Sequence, residues 1–550
     1  MAEPLLQIDD LVIEGASRGT RGEKVWTTLV DRVSLRLDRG EVLGLIGESG
    51  AGKSTLGLAA LGYVRAGCRI ASGRVALDGQ DLVNLSETKR RALRGTRLAY
   101  VAQSAAASFN PAHRLDDQVT EAAVVNSQAS QSAAREAASA LYERLQLPDP
   151  ARIGQRYPHQ VSGGQLQRAM TAMAMVSGPD LIVFDEPTTA LDVTTQIEVL
   201  AAIRDAVRQT GTAAIYITHD LAVVAQMADR IKVLLRGREV EEAETGQMLT
   251  NPREEYTKSL WAVRSFSRPA QAADTAPPQP ALEMTDITAA YGTVRVLEDV
   301  SIRLHPRRTV AIVGESGSGK STAARVMTGL LVPQKGDVRM GGEVLSPSYR
   351  DRDRKTLRRL QMIYQMADTA LNPKTRVRDL IARPASLYTG LKGRALEDRV
   401  RDLMTMIELD PDTYLDRLPG ALSGGQKQRI GIARAIAAEP EVVICDEVTS
   451  ALDQIVAEGV LKLLDRLQRE LGLAYMFITH DFATVKAVAD DVVVMHRGRV
   501  VESDAADRVL NHPREDYTRH LLASVPEMDP GWLNAVLGER GEQQDGQSGG

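Results

Sequence analysis

The chain has 550 residues, with 43% apolar and 25% charged side chains and a formal net charge of −5 from 67 basic and 72 acidic residues. At roughly 150 residues per folding unit this is an ordinary globular composition for three or four units, without the basic excess expected of a general nucleic-acid binder. The two cysteines, Cys68 and Cys445, cannot build a disulfide framework or a four-cysteine metal site, and are read as reduced thiols. The opening MAEPLLQIDD lacks the basic and apolar regions of a signal peptide. No run approaches the ~18–20 uncharged apolar residues that span a bilayer.

In chain order, EVLGLIG at 41–47 is a short apolar run that enters a Gly-rich turn, GESGAGKST at 47–55. The stretch from about 112 to 160, which includes SQSAAREAASALYERL, is Ala-rich and predicts helices. VSGGQLQR at 161–168 opens a further helix. DLIVFDE at 180–186 and TAAIYITHD at 212–220 are β-branched runs that end in paired acids and in His-Asp. Such continuous runs, separated by helical stretches, predict buried parallel strands. Residues 264–281, RSFSRPAQAADTAPPQPA, have the composition of a linker and are expected to act as a tether.

The same series then recurs: TVAIVG at 309–314 into GESGSGKST at 314–322, LSGGQKQR at 422–429, EVVICDE at 441–447 and LAYMFITHD at 473–481. The offset is 267 residues at the Gly-rich turns and 261 at the SGGQ, Asp-Glu and His-Asp segments, so one domain is written twice. The expected organisation is a first domain over 1–263, the linker at 264–281, a second domain over 282–530 and a flexible tail over 531–550, whose last residues are polar and Gly-rich.

The two G-x-x-x-x-G-K-[ST] turns are phosphate loops. Their glycines let successive N–H groups face one anion, and the helix that follows adds its positive end. Lys53 and Lys320 are placed to reach the β- and γ-phosphates, and Ser54 and Ser321 to ligate Mg²⁺. Asp185-Glu186 and Asp446-Glu447 end apolar strands, where two carboxylates cost desolvation unless a cation compensates. The aspartate is assigned to Mg²⁺ and the glutamate to polarising a water. A lone histidine is most often structural, but His219 and His480 recur in register, and each could hold a γ-phosphate and the water in line. Ser162 and Ser423 could be simple helix N-caps. The glycines that follow them are poor helix formers, which predicts close backbone approach by a second anion.

The phosphate loop, the SGGQ signature, the Asp-Glu pair, the ALD segment and the histidine, in this order and over nearly the whole chain, resemble the ATP-binding cassette ATPases. The resemblance implies an α/β fold of two tandem P-loop NTPase domains, each a RecA-like core with a helical subdomain and an antiparallel β subdomain. It implies halves stacked head to tail, with two ATP molecules and Mg²⁺ between phosphate loops and opposite signatures. ATP contacts are then expected from Gly47, Glu48, Ser49, Gly50, Gly52, Lys53, Ser54 and Thr55, and from Gly314, Glu315, Ser316, Gly317, Gly319, Lys320, Ser321 and Thr322. Further contacts fall to Ser162, Gly164, Gln165, Ser423, Gly425 and Gln426, and to Asp192 and Asp453 of the ALD segments. Gln103 and Gln365 are implied to touch both Mg²⁺ and the transporter; with Ser54, Asp185, Ser321 and Asp446 they complete the metal set. Glu186, Glu447, His219 and His480 are the implied catalytic residues. Tyr291 is implied to stack on adenine; an insertion disturbs the register in the first half, where Trp26 is a weak match. Ala51, Val161, Leu166 and Val448 depart from the usual pattern, but none removes a group that does chemistry.

Proteins of this kind that act on ribosomes carry long charged helical linkers, and repair-type relatives carry zinc-binding cysteines; this chain has neither feature. The N-P pairs at 110–111 and 372–373, and NPREEYTKSLW at 251–261 with HPREDYTRHLLASVP at 512–526, resemble the dipeptide, oligopeptide and nickel importer subfamily with its two ATPases fused. The implied partners are two transmembrane permease subunits and, indirectly, a periplasmic or extracellular solute-binding protein, with no nucleic acid. The implied location is peripheral, on the cytoplasmic face of the bacterial cell membrane. Peptides or peptide-like solutes are the expected cargo, with nickel, opine or sugar as alternatives.

Overall fold

The computed structural model describes residues 3–18, 23–126, 129–188, 191–262, 279–450 and 452–538. The chain divides into two compact units, one made of Met1–Ala262 with Pro526–Gly550 and the other of Val263–Val525. Most of the linker lies outside the described residues.

In the first unit the strands are β1 (Leu6–Arg18), β2 (Lys24–Leu37), β3 (Val42–Ile46), β4 (Cys68–Leu77), β5 (Gln80–Asp81), β6 (Leu98–Val101), β7 (Leu181–Asp185), β8 (Ala213–Ile217), β9 (Arg230–Leu235) and β10 (Arg238–Glu244). They form a six-stranded sheet in the order β10-β9-β3-β8-β7-β6 and a four-stranded sheet β2-β1-β4-β5. β3, β8, β7, β6 and β9 run parallel, as their continuous apolar runs require, and β10 closes the edge antiparallel to β9. Leu56, Ala59 and Ala60 of the helix Lys53–Ala60 share one core with residues of both sheets, so the helix that follows the phosphate loop is clamped between them.

The second unit repeats this plan. Its strands are β11 (Leu282–Tyr291), β12 (Val294–Leu304), β13 (Thr309–Val313), β14 (Lys335–Met340), β15 (Glu343–Val344), β16 (Leu360–Ile363), β17 (Val442–Asp446), β18 (Ala474–Ile478), β19 (Asp491–His496) and β20 (Arg499–Ala505). The sheets are β16-β17-β18-β13-β19-β20 and β12-β11-β14-β15. Strand alternation divides the core: Ile444, Met476 and Ile478 face the antiparallel sheet and the helix Lys320–Met327. Val443, Cys445, Tyr475 and Phe477 face the helices Gly424–Ile436 and Gln454–Leu471 and the helical layer beyond them.

The C-terminal segment differs from the expected tail. Residues 532–538 are helical, and Leu533 is fully buried with Trp532 and Val536 nearly so. Gln226, itself buried, holds this segment from within the first unit. Its Nε2 donates to the carbonyls of Glu527 (2.9 Å) and Asp529 (2.8 Å), and its Oε1 accepts from the Leu533 N–H (3.1 Å). The second domain, expected to run to 530, thus gives way at Pro526, because the apolar side chains of Trp532, Leu533 and Val536 find cover there. Among the described residues no helix is long and apolar enough to cross a membrane.

Candidate functional site

β3 delivers the chain into the first phosphate loop at Gly47, whose φ is 143°. A Cβ there would stand 2.1 Å from the Leu234 carbonyl oxygen, and Gly314 (φ 145°) meets the Met495 carbonyl at the same distance. Only glycine fits either place. The loop returns the lysine over itself: Lys53 Nζ donates to the carbonyls of Gly47 (2.6 Å) and Glu48 (2.9 Å), and Lys320 Nζ to those of Gly314 (2.8 Å) and Glu315 (2.7 Å). Each ammonium is held beside a ring of backbone N–H groups and a helix N-terminus, which together present positive charge to a polyphosphate.

β7 ends beside this loop. Ser54 Oγ donates to Asp185 Oδ1 at 2.8 Å, and Ser321 Oγ to Asp446 Oδ1 at 3.0 Å. Burial pushes the Asp446 carboxyl up; the Ser321 hydrogen bond opposes this and the neighbouring Glu447 charge adds to it. A hydroxyl beside a buried carboxylate is a hard oxygen set that suits Mg²⁺. Among the described residues no group of three or more His, Cys, Asp or Glu could hold a metal ion unaided. Ser54 and Asp185 would therefore supply only part of a Mg²⁺ shell, with the remaining positions open to water or phosphate oxygens.

The next residue in each half is backbone-strained. Glu186 has φ 50° and Glu447 φ 49°, a left-handed conformation that costs a side-chain-bearing residue on the order of 1–3 kcal/mol. Their N–H groups are tied to the Ile217 and Ile478 carbonyls, both at 2.9 Å, which fixes the kink. Both oxygens of Glu186 are engaged, Oε2 by Gln103 Nε2 (3.0 Å) and Oε1 by His219 Nδ1 (3.2 Å). In the second half Gln365 Nε2 donates to Glu447 Oε2, and His480 Nδ1 stands 3.6 Å from Oε1. Burial disfavours the imidazolium in both histidines, but the carboxylates of Glu186 and Glu447 outweigh it and raise both pKa values. The His480 imidazole in turn holds the Glu447 carboxyl below its usual range.

The signature serines are N-caps. Ser162 Oγ accepts from Gln165 N (3.3 Å) while Gln165 Oε1 accepts from Ser162 N (3.1 Å), and Ser423 with Gln426 repeats the box at 3.3 and 3.0 Å. The two glycines have different reasons. A Cβ on Gly164 would lie 2.2 Å from Thr195 Cγ2, and one on Gly425 2.4 Å from Val456 Cγ1, so the close approach expected from the sequence is to the helix behind. Gly163 and Gly424 have only ordinary contacts, at 3.8 and 3.6 Å, and leave the front of the helix start open. Asp192 and Asp453 cap that same rear helix, accepting from Thr195 N and Val456 N at 3.0 Å.

The contacts of Tyr100, of Tyr256 with Tyr517, and of Glu241 with Glu502 were not foreseen from the sequence. Tyr100 Oη donates to Asp185 Oδ2 at 2.7 Å; burial and that carboxylate push the phenol well above its usual range, so it stays a donor. Tyr256 and Tyr517, from the paired P-R-E-x-Y-T elements, accept the N–H of Glu48 (3.3 Å) and Glu315 (3.4 Å) in the phosphate loops. Glu241 and Glu502 cap the starts of those elements at Arg253 and Arg514 (2.8 and 2.9 Å). Tyr291 Oη is held by Arg325 at 2.9 Å on an exposed ring. Trp26 is covered by the Arg69 guanidinium, 4.1 Å from its centroid, and by Lys24 at 4.3 Å.

Residues 30–189 and 297–450 match the family described as ABC transporter, and 501–549 match the oligopeptide/dipeptide transporter C-terminal region. Glutathione import ATP-binding protein GsiA of Pectobacterium atrosepticum is 36% identical over 92% of this chain and 87% of its own. Peptidoglycan transport ATP-binding protein YejF of Agrobacterium fabrum is 36% identical over 95% of this chain and 96% of its own. GsiA of Salmonella typhimurium is 35% identical over 95% and 90%. With the phosphate loop, acid pair, glutamine and histidine assembled in each unit, the chain belongs to the ABC transporter ATPases, as a member that carries two such domains in tandem.

Proposed function

We propose that both halves hydrolyse ATP, and that the chain is the motor of an importer for peptides or peptide-like solutes, working with two separate permease subunits at the cytoplasmic face of the membrane. The observation that carries the first part is the duplicated constellation: Lys53, Ser54, Gln103, Asp185, Glu186 and His219 recur as Lys320, Ser321, Gln365, Asp446, Glu447 and His480. In each half the lysine and the loop N–H groups bind the β- and γ-phosphates. The serine and the aspartate would hold Mg²⁺, which would supply charge neutralisation at the phosphate oxygens. Glu186 and Glu447 accept a hydrogen bond from the attacking water. His219 and His480 fix the glutamate on one side and offer a donor to the γ-phosphate on the other. Positioning and charge stabilisation supply the catalysis, as phosphoryl transfer requires.

The import reading rests on the match over 501–549 and on relatives whose names specify glutathione import and peptidoglycan transport. Reconstitution with its permeases in liposomes tests it. Peptide-loaded binding protein is expected to raise ATP turnover and drive uptake. Stimulation by nickel-, opine- or sugar-loaded binding protein alone would overturn the peptide assignment.

A further inference from the structure

The two catalytic aspartates are not held alike. Asp185 receives two hydroxyl donors, Ser54 on Oδ1 (2.8 Å) and Tyr100 on Oδ2 (2.7 Å), whereas Asp446 receives Ser321 on Oδ1 at 3.0 Å. The difference lies in one strand position. Tyr100 pairs with Val183 across β6 and β7, and Met362 pairs with Ile444 across β16 and β17, the same register in each half. Both side chains are half-buried and pack on the core under the sheet. Only the tyrosine carries a donor at its tip; Arg65 approaches the same hydroxyl.

We propose that Tyr100 is a positioning residue for the metal site of the first half, which makes the two ATP sites of this chain unequal in their hold on Mg²⁺. Oδ1, which Asp185 shares with Ser54, is the oxygen that would hold the metal. Tyr100 occupies the other oxygen, so it does not compete for the ion. It fixes the rotation of the carboxylate, which in the second half is hydrogen-bonded by Ser321 alone among the described residues. Partners that orient a metal-binding carboxylate typically change metal affinity by about tenfold or more when removed.

This inference rests on the metal reading of Ser54 and Asp185. Its test uses the full chain with Lys320→Ala, which confines nucleotide to the first site. Binding of a fluorescent ATP analogue is measured with Mn²⁺ and with EDTA, and the ratio of the two Kd values isolates the contribution of the metal. Tyr100→Phe, which keeps the ring, is expected to cut that ratio about tenfold and to leave the Kd in EDTA unchanged. Tyr100→Met, the side chain that the second half uses in this register, should behave in the same way. A ratio within twofold of the parent in both variants, or an equal loss with EDTA, would overturn the positioning role. If Mn²⁺ fails to tighten binding even in the parent, the metal reading fails, and the inference with it.

Discussion

Glu186 and Glu447 carry a conformation that most side chains avoid, at the two places where a carboxylate is needed beyond the end of a strand. Replacement by glycine relieves that strain and replacement by alanine does not. Glu186→Gly is therefore expected to be more stable than Glu186→Ala by about 1 kcal/mol in urea unfolding, with neither variant active at the first site. Equal stability would mean that the backbone there is unstrained. His480 titrates against Glu447, and its folded-state pKa is raised above the ordinary ~6.5. Its contribution to stability is complete below that value and is lost as pH rises through the higher folded value. In the nucleotide-free chain, His480→Asn should flatten the decline of Tm across that interval; an unchanged decline would dissociate it from this pair. The thiols separate by burial: Cys445 is fully buried and its thiol is pushed up, while Cys68 is partly exposed. Native alkylation should label Cys68 alone, with Cys445 reacting only after denaturation.

Strands and helices were legible in the sequence where the hydrophobic period was unambiguous. The runs that end at Ile46, Phe184 and Ile217 are buried at every position because both faces of a parallel sheet are covered. The phosphate loops were legible because their glycines sit at fixed spacing for a backbone reason. Tyr100 was not, since a tyrosine in a short strand reveals nothing until strand register sets it opposite Val183 and two residues from Asp185. Tyr256 and Tyr517 were visible only as a repeated motif; their contact with the phosphate loop depends on the return of a distant helix. At Gly164 the sequence pointed to close approach by a second anion, and nothing in it marked the helix behind. The helix is the nearer neighbour, which gives a double-mutant test. Gly164→Ala should cost about 1–3 kcal/mol through overpacking against Thr195 Cγ2. Thr195→Ser deletes that methyl and should restore most of the loss in the pair. Additive effects in the pair would contradict this account of the glycine.

At the scale of the whole molecule, the sequence repeat divided the chain correctly into two α/β units but left the C-terminal segment without a home. The apolar residues Trp532, Leu533 and Val536 sit among Pro, Gly and acidic neighbours, too few for a visible period. Their burial contributes on the order of 5 kcal/mol to the first unit. A chain truncated after Val525 should show faster hydrogen exchange in the helix Leu221–Met227, which carries Gln226, and unchanged exchange in Gln454–Leu471. Unchanged protection at 221–227 would show that the segment adds nothing there. The central claim is that one chain holds two working ATPase sites, each with its own glutamate, glutamine and histidine. Its most direct test is steady-state ATP turnover of Glu186→Gln, Glu447→Gln and the double variant in the assembled transporter, with ATP binding measured alongside. The account predicts that each single substitution lowers turnover at least about 100-fold at its own site, that the double variant is inactive, and that all three still bind ATP. Wild-type turnover in either single variant would contradict it, because that site would then be catalytically silent.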